Sequence, residues 1–176
     1  LVRALEIAAH RGLSLPVVYN SNGYDSVEVL RLLDGIVDVY MPDLKYAQPE
    51  AGCRLSSVED YPRHARAALA EMYRQIGNTW DLGPEGELRR GLLVRLLVLP
   101  EGLGGVEANL AWIARALSPT VAVSLLAQYR PSHRVPRSPD FAELDRGISR
   151  EEWQRAVAAL EKHMDGDRHQ VQGVFL

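Results

Sequence analysis

The chain has 176 residues, and 20 Lys and Arg against 23 Asp and Glu give a formal net charge of −3 with neutral histidines. This balance excludes the basic footprint expected of a protein whose main partner is a nucleic acid. Hydrophobic residues make up 47% and charged residues 24%, which is typical of a globular domain. The length predicts a single domain over 1–176 with a core over about 13–165.

The cysteine count and the apolar runs bear on the compartment. Cys53 stands alone, so it forms no internal disulfide and favours a reducing, cytoplasmic location. The uninterrupted apolar runs are far shorter than the roughly 20 residues that cross a bilayer. The first residues are amphipathic and charged, unlike a signal peptide. We therefore expect no membrane partner.

The first half of the chain alternates helical periodicity with short β-rich apolar runs. Gly12 and Gly35 are typical helix ends, and Pro42 is typical of a strand end. Residues 78–90 are polar and rich in turn formers, which indicates a loop or a small hairpin. The predicted elements are a helix up to Gly12, a strand over 16–19, a helix from Asp25 or Ser26 to Gly35, a strand over 36–41 and a helix from Asp60 to Ile76.

The second half continues the same alternation. The predicted elements are a strand over 92–100, a helix over 106–116, a strand over 120–128 and an irregular segment over 129–140. Ser149 and Glu152 form a predicted capping box for a helix to about His163, and 165–176 are a weak strand or a tail. Four strands with helical crossovers predict an α/β fold, a partial (β/α) TIM-like barrel with parallel strands. Half a barrel leaves bare strand edges, which favour a partner or a larger protein.

Candidate site residues follow the predicted strands. Parallel α/β folds bind ligands beyond the carboxyl ends of their strands. Period two places Asp43 and Lys45 on the same side, opposite Leu44. The residues at these ends and inside the third strand are Asn20, Ser21, Asn22, Asp43, Lys45, Arg95, Gln128 and Arg130.

Each candidate has a structural alternative. Asn22 with Gly23 is a common turn, and Asp43 with Lys45 is compatible with a surface ion pair. Arg95 either forms a salt bridge across the sheet or reaches a ligand, and Arg130 is compatible with a solvated position. His133 is the histidine of a predicted mouth loop. The chain has no P-loop, no dinucleotide-binding glycine motif and no nucleophile elbow, so spacing alone predicts a barrel-like domain with a polar mouth.

The residues at these ends also carry a resemblance. The segments are YNSNGYDSVEVLRLLDGIVDVYMPDLKYA, DYPRHARAALAEMYRQIG, RRGLLVRLLVLP and VSLLAQYRPSH. Together they resemble the C-terminal half of radical SAM proteins similar to pyruvate formate-lyase activating enzymes, over about residues 13–160. Each motif is modest alone, and their combination is specific.

The resemblance implies a cofactor and a reaction. Such proteins hold a 4Fe-4S cluster on a C-x-x-x-C-x-x-C loop, cleave S-adenosylmethionine (SAM) reductively and abstract hydrogen from a glycine of a partner protein. By this likeness, Asn20, Ser21 and Asn22 match the segment near the nucleoside and methionyl end of SAM. Lys45, beside Asp43, is the natural counter-charge for a carboxylate. Arg95 matches a strand arginine, and Gln128 to Arg130 match the last mouth residues.

The sequence departs from the family pattern in three respects. Leu96 stands where a histidine is common, and Glu101 stands where a glycine is common. The cysteine loop and a Gly-Gly-Glu segment are absent, and one thiol cannot ligate a cluster. The resemblance therefore predicts a C-terminal segment that is inactive alone and needs an N-terminal half or a partner protein. Its candidate substrate is a glycyl-radical protein or a small molecule.

Two other functions stay open at this point. One is a non-catalytic truncated barrel module that docks on an N-terminal half or another partner. The other is an ordinary barrel-derived enzyme that acts on an anionic metabolite through Lys45 and Arg130, for which no general base or nucleophile pair is evident.

Overall fold

The computed structural model describes residues 2–172 as an α/β fold built on one six-stranded sheet. Five strands lie in the order β1-β2-β4-β5-β6, each parallel to its neighbour. The strands are β1 (Val18–Ser21), β2 (Val39–Pro42), β3 (Trp80–Leu82), β4 (Leu88–Leu97), β5 (Ala122–Leu126) and β6 (Gln170–Gln172). The predicted parallel α/β fold is thereby confirmed.

One helix precedes β1, and the others connect the successive parallel strands. The helices are α1 (Val2–His10), α2 (Val27–Leu32), α3 (Pro49–Ser56), α4 (Tyr61–Ile76), α5 (Val106–Ala116) and α6 (Arg150–His163). Short 3₁₀ turns cover Pro100–Gly102, Val135–Arg137 and Pro139–Leu144. Among the helices within 2–172, none is long and apolar enough to cross a bilayer.

The polar segment before β4 forms a hairpin, the second of the two predicted alternatives. β3 runs antiparallel to the start of β4, and Gly91 is the register partner of both Trp80 and Val39. Since one strand edge accommodates one neighbour, β3 lies on the side of β4 opposite to β2. The hairpin extends β4 back to Leu88, four residues before the predicted start.

The core lies between the sheet and its helices. All five residues of β5 are buried, as in a parallel strand covered on both faces. Val94 and Leu96 of β4 pack in the same cluster as Leu69 of α4 and Ile113 of α5. This covered centre leaves the carboxyl ends of the strands as the place where polar side chains converge.

Helix α3 is absent from the sequence-based prediction. Its sequence, PEAGCRLS, has a proline, a glycine and no side-chain N-cap bond, so apolar periodicity does not reveal it. Gly52 explains why a helix fits there, because a Cβ on Gly52 would approach the carbonyl oxygen of Val58 to 2.5 Å. The close packing of Gly52 against Val58 and Tyr61 therefore stabilises α3, whereas the intrinsic helix propensity of its residues contributes little.

Candidate binding cavity at the carboxyl ends of the strands

A cavity of about 620 Å³ opens beyond the carboxyl ends of β2, β4 and β5. This volume lies within the range of small-molecule sites, about 300–1,000 Å³. Four of the predicted site residues line it: Asp43, Lys45, Arg95 and Gln128. Their shared location agrees with the rule that ligands bind at this edge of a parallel sheet.

Arg95 joins the ends of the first two strands. Its Nη2 donates to Asp43 Oδ1 at 2.6 Å and to Asn20 Oδ1 at 2.7 Å. The salt-bridge alternative for Arg95 is therefore the one observed, and Arg95 takes the place of Lys45 as the partner of Asp43. Arg95 Nε is buried and has no acceptor within the described part of the chain.

Asp43 and Lys45 both face the cavity, while Leu44 between them is 1% exposed. This confirms the period-two prediction. The Lys45 ammonium forms no ion pair or hydrogen bond with any residue in 2–172. A half-buried cation without a counter-charge is a favourable contact for an anionic ligand.

Tyr61, at the start of α4, fixes the loops that carry these residues. Its hydroxyl accepts from Lys45 N at 2.9 Å and directs its proton to the carbonyl oxygens of Asn22 at 2.9 Å and Asp43 at 3.0 Å. Burial raises the pKa of Tyr61, so the hydroxyl stays protonated near neutral pH. Sequence reasoning missed Tyr61, because it gives no signal beyond a helix start.

Gly23 brings the loop after β1 into close contact with the loop after β2. Its φ is +77°, and a Cβ there would lie 2.2 Å from Asp43 O. Asn22 Oδ1 accepts from Tyr24 N at 3.0 Å, which is a turn of the Asx type. Ser21 Oγ accepts from Gly23 N at 3.1 Å and donates to Asp25 at 2.6 Å.

The structure does not bring every candidate into the cavity. Asn20 is held by Arg95, while Ser21 and Asn22 shape the turn, and none of the three side chains is among the lining residues. The turn alternative for Asn22 with Gly23 is thus the one observed. Arg130 is exposed and lies outside the lining.

A second group of lining residues was missed. Arg54, Ser56 and Ser57 come from the end of α3, and Ser132, His133 and Arg134 come from the proline-rich segment after β5. The sequence prediction had no α3 at all. It did mark 129–140 as irregular and place His133 in a predicted mouth loop, and His133 lines the cavity. Ser132 and Arg134 of the same loop were not singled out.

Charge in the lining is unbalanced. Four cations, Lys45, Arg54, Arg95 and Arg134, face one carboxylate, Asp43. Asp43 pairs with Arg95, and the carboxylate of Glu143 pairs with Arg54. Lys45 and Arg134 remain without a counter-charge among the described residues. The cavity is therefore suited to an anionic group.

The described residues offer no metal centre. No group of three or more His, Cys, Asp or Glu side chains within 2–172 is arranged to hold a metal ion, and Cys53 is exposed. This part of the chain therefore does not fit a 4Fe-4S cluster, which needs at least three thiolates.

Fold and site together define an α/β protein with a parallel sheet, helical crossovers and a cationic cavity at the strand ends. No family model matches the chain. It is similar to the uncharacterized protein MJ0674 of Methanocaldococcus jannaschii, with 32% identity over 164 residues. That match covers 93% of this chain and 43% of the archaeal protein, so the chain spans less than half of its relative's length.

Proposed function

We propose that this chain is the C-terminal part of a radical SAM protein, in which the sheet belongs to a partial (β/α) barrel and the cavity binds SAM. The observation that carries the proposal is the unopposed Lys45 in a cavity of about 620 Å³ at the carboxyl ends of parallel strands. The longer archaeal relative supports the existence of additional sequence. The resemblance at the strand ends supports the choice of cofactor.

The described residues fit one part of this chemistry and not the other. Lys45 would hold the carboxylate of the methionyl group, and Gln128 offers a neutral hydrogen-bonding group in the same cavity. The cluster does not fit, so its cysteines would come from the missing N-terminal half or from a partner protein. A reduced cluster held outside this chain would supply the electron that cleaves SAM to methionine and a 5'-deoxyadenosyl radical. Alone, the chain is expected to be inactive, and the whole protein to be cytoplasmic, with a glycyl-radical protein or a small molecule as candidate substrate.

Lysine labelling tests SAM binding directly. The chain has two lysines, Lys45 in the cavity and Lys162 on α6, where Nζ lies 2.7 Å from Glu107 Oε1. Reductive methylation with ¹³C-formaldehyde should mark both, and SAM should slow the labelling of Lys45. Lys162 is an internal control because it lies outside the cavity.

Two outcomes would contradict the proposal. One is equal labelling rates for Lys45 with and without millimolar SAM, provided that Lys162 labels normally. The other is the coding sequence upstream of Leu1: we expect an in-frame C-x-x-x-C-x-x-C motif, in this polypeptide or in a partner encoded beside it. Its absence from both would remove the cluster and with it the radical reaction.

A docking function has separate support in a groove of about 520 Å³ on the opposite, amino-terminal side of β1 and β2, where apolar side chains lie among charged ones. Leu5 and Ala9 of α1 line it with Leu13, Leu15 and Ile36. We propose that the remainder of the longer polypeptide occupies this groove, since the archaeal relative has more than half of its length outside the match. Light scattering after size-exclusion chromatography should show that the isolated chain self-associates. A monodisperse monomer at high concentration would contradict obligate docking.

A further inference from the structure

We propose that the cavity contains a second anion subsite, formed by Arg134 with Ser57 and Ser132, which takes the phosphate or carboxylate group of a small-molecule substrate. All three residues line the same cavity as Lys45. The inference rests on the proposed function in one respect, the assignment of Lys45 to SAM. It adds the chemical class of the molecule that would lie beside the cofactor.

Two of the four cations in the cavity lining have no counter-charge. Arg54 and Arg95 are opposed by Glu143 and Asp43, which leaves the cations of Lys45 and Arg134 without partners in the described part of the chain. The single carboxylate of SAM would pair with one cation, Lys45, and the ammonium and sulfonium groups of SAM are positive and would pair with none. A second oxyanion group would balance the other.

Arg134, Ser57 and Ser132 supply hydrogen-bond donors suited to an oxyanion. The guanidinium of an arginine presents parallel N–H donors that match phosphate and carboxylate oxygens. The hydroxyls of Ser57 and Ser132 have no hydrogen-bond partner among residues 2–172, whereas Ser56 Oγ is bonded to the Tyr46 hydroxyl at 2.8 Å. Arg134, Ser57 and Ser132 are therefore solvent-exposed donors that line one cavity and have no acceptor among the described residues.

Backbone conformation adds support at His133. Three non-glycine residues within 2–172 have a positive φ: Ser57, Glu101 and His133. Ser57 and His133 line the cavity, but Ser57 ends α3 in the left-handed conformation common at helix C-termini. The left-handed backbone of His133 is of the kind that is enriched at ligand sites.

This inference separates two substrate classes. A glycine in a peptide backbone has no charge to offer Arg134, whereas a small organic phosphate or acid does. A cationic pocket beside the SAM position therefore favours a small anionic substrate over a glycyl-radical peptide. Arg134 and Arg130 are both exposed, but Arg134 lines the cavity and Arg130 does not, so Arg134 is the arginine placed to contact this substrate.

The experiment uses inorganic phosphate and succinate as probes of the full 176-residue chain, by isothermal titration calorimetry. Arg134→Gln removes the charge, and Arg134→Lys keeps it without the paired donors. Arg137→Gln is the matched control, because Arg137 is exposed in the same segment and lies outside the cavity lining. We expect one or both probes to bind the wild type and R137Q equally, to bind R134Q at least tenfold more weakly, and to bind R134K with intermediate affinity.

Equal affinities in R134Q and R137Q would overturn the subsite, as would the absence of binding of either probe to the wild type at millimolar concentration. The relative affinities of phosphate and succinate identify which oxyanion is preferred. Failure of this inference is distinct from failure of the proposed function. Protection of Lys45 by SAM without anion binding removes only the subsite, and anion binding without that protection removes only the cofactor.

Discussion

Tyr61 connects the candidate site to the core through one hydroxyl that contacts three backbone groups in two loops. We predict that Tyr61→Phe destabilises the chain by about 1–2 kcal/mol, because Lys45 N and two carbonyl groups lose a buried partner. The same change should weaken anion binding, since Lys45 would no longer be held in place. Denaturant unfolding and calorimetry measure the two effects.

Tyr73→Phe is the matched control for Tyr61→Phe. Tyr73 lies on the same helix, is partly buried against the core, and its hydroxyl has no hydrogen bond to another described residue. We expect this variant to change the free energy of unfolding by less than about 0.5 kcal/mol. Equal losses in the two variants would show that the hydroxyl of Tyr61 does not hold the loops.

Glu152 provides a pH-dependent contribution to stability. Arg146 donates to both of its carboxylate oxygens at 2.7 and 2.8 Å, and the amides of Ser149 and Glu101 donate at 2.7 Å. The Arg146 hydrogen bonds lower the pKa of Glu152 to about 2, against the opposing effect of burial. Because the folded-state pKa lies below the unfolded value, this stabilisation is complete above pH 4.5 and is lost as the pH falls towards 2.

We predict that Glu152→Gln destabilises the protein by about 1–3 kcal/mol at pH 7 and by progressively less as the pH falls from 4.5 towards 2. Glu161→Gln on the same helix is the control, since Glu161 is exposed and unpaired within 2–172. Chemical denaturation across this pH range measures both. A difference between wild type and E152Q that stays constant down to pH 2 would contradict the shifted pKa.

Single-residue patterns identified part of the site. The alternation around Leu44 placed Asp43 and Lys45 correctly, because a strand end keeps its period of two. Arg95 was a reliable candidate because a charge inside a buried strand needs a partner. Arg134 could not be assigned, since its place depends on a loop that returns over the sheet, and no local pattern encodes that contact.

At the scale of elements, the loop after β1 depends on the absence of a side chain at Gly23. We predict that Gly23→Ala destabilises the chain by about 2–5 kcal/mol, because it adds left-handed strain and a contact of 2.2 Å with Asp43 O. Urea unfolding measures the loss. Anion binding by any folded fraction of this variant should also weaken.

Gly35→Ala, in the turn after α2, is the control for Gly23→Ala. Its φ of +76° nearly equals that of Gly23, but a Cβ there would meet nothing within 4 Å. The strain alone should cost about 1–2 kcal/mol. If the two variants lose the same free energy of unfolding, the close approach of Gly23 to Asp43 O does not contribute to the cost of Gly23→Ala.

Elements with local signals were predicted, and elements formed by tertiary contacts were not. The capping box of Ser149 and Glu152 is present as expected, and α6 ends at His163. Helix α3 depends instead on the approach of Gly52 to Val58, which the sequence alone cannot show. The second predicted strand begins at Val39, three residues late, because 36–38 belong to the turn after α2. Of the two alternatives for 165–176, a weak strand or a tail, the strand is observed as β6, and 173–176 lie outside the described residues.

Considered as a whole, the molecule has different chemistry at the two ends of its sheet. The carboxyl ends carry the cationic cavity, and the amino ends of β1 and β2 carry a groove that combines apolar and charged side chains. Leu15 is 73% exposed and Leu13 is 44% exposed in that groove. These exposed leucines give the groove apolar surface that a partner can bury. Ligand binding and docking therefore use separate surfaces and can be tested separately.

We predict that Leu15→Gln reduces self-association of the isolated chain about tenfold or more, because burial of one leucine contributes about 1.5–3 kcal/mol. Folding stability should change by less than about 0.5 kcal/mol, since Leu15 is largely exposed. Leu82→Gln is the matched control, with an equally apolar side chain that is 50% exposed and lies outside the groove. Sedimentation velocity over a concentration series measures the association constants. Equal effects of L15Q and L82Q would show that the chain associates non-specifically through exposed apolar side chains. The groove would then not be the docking surface. The proposals for the cavity would be unaffected.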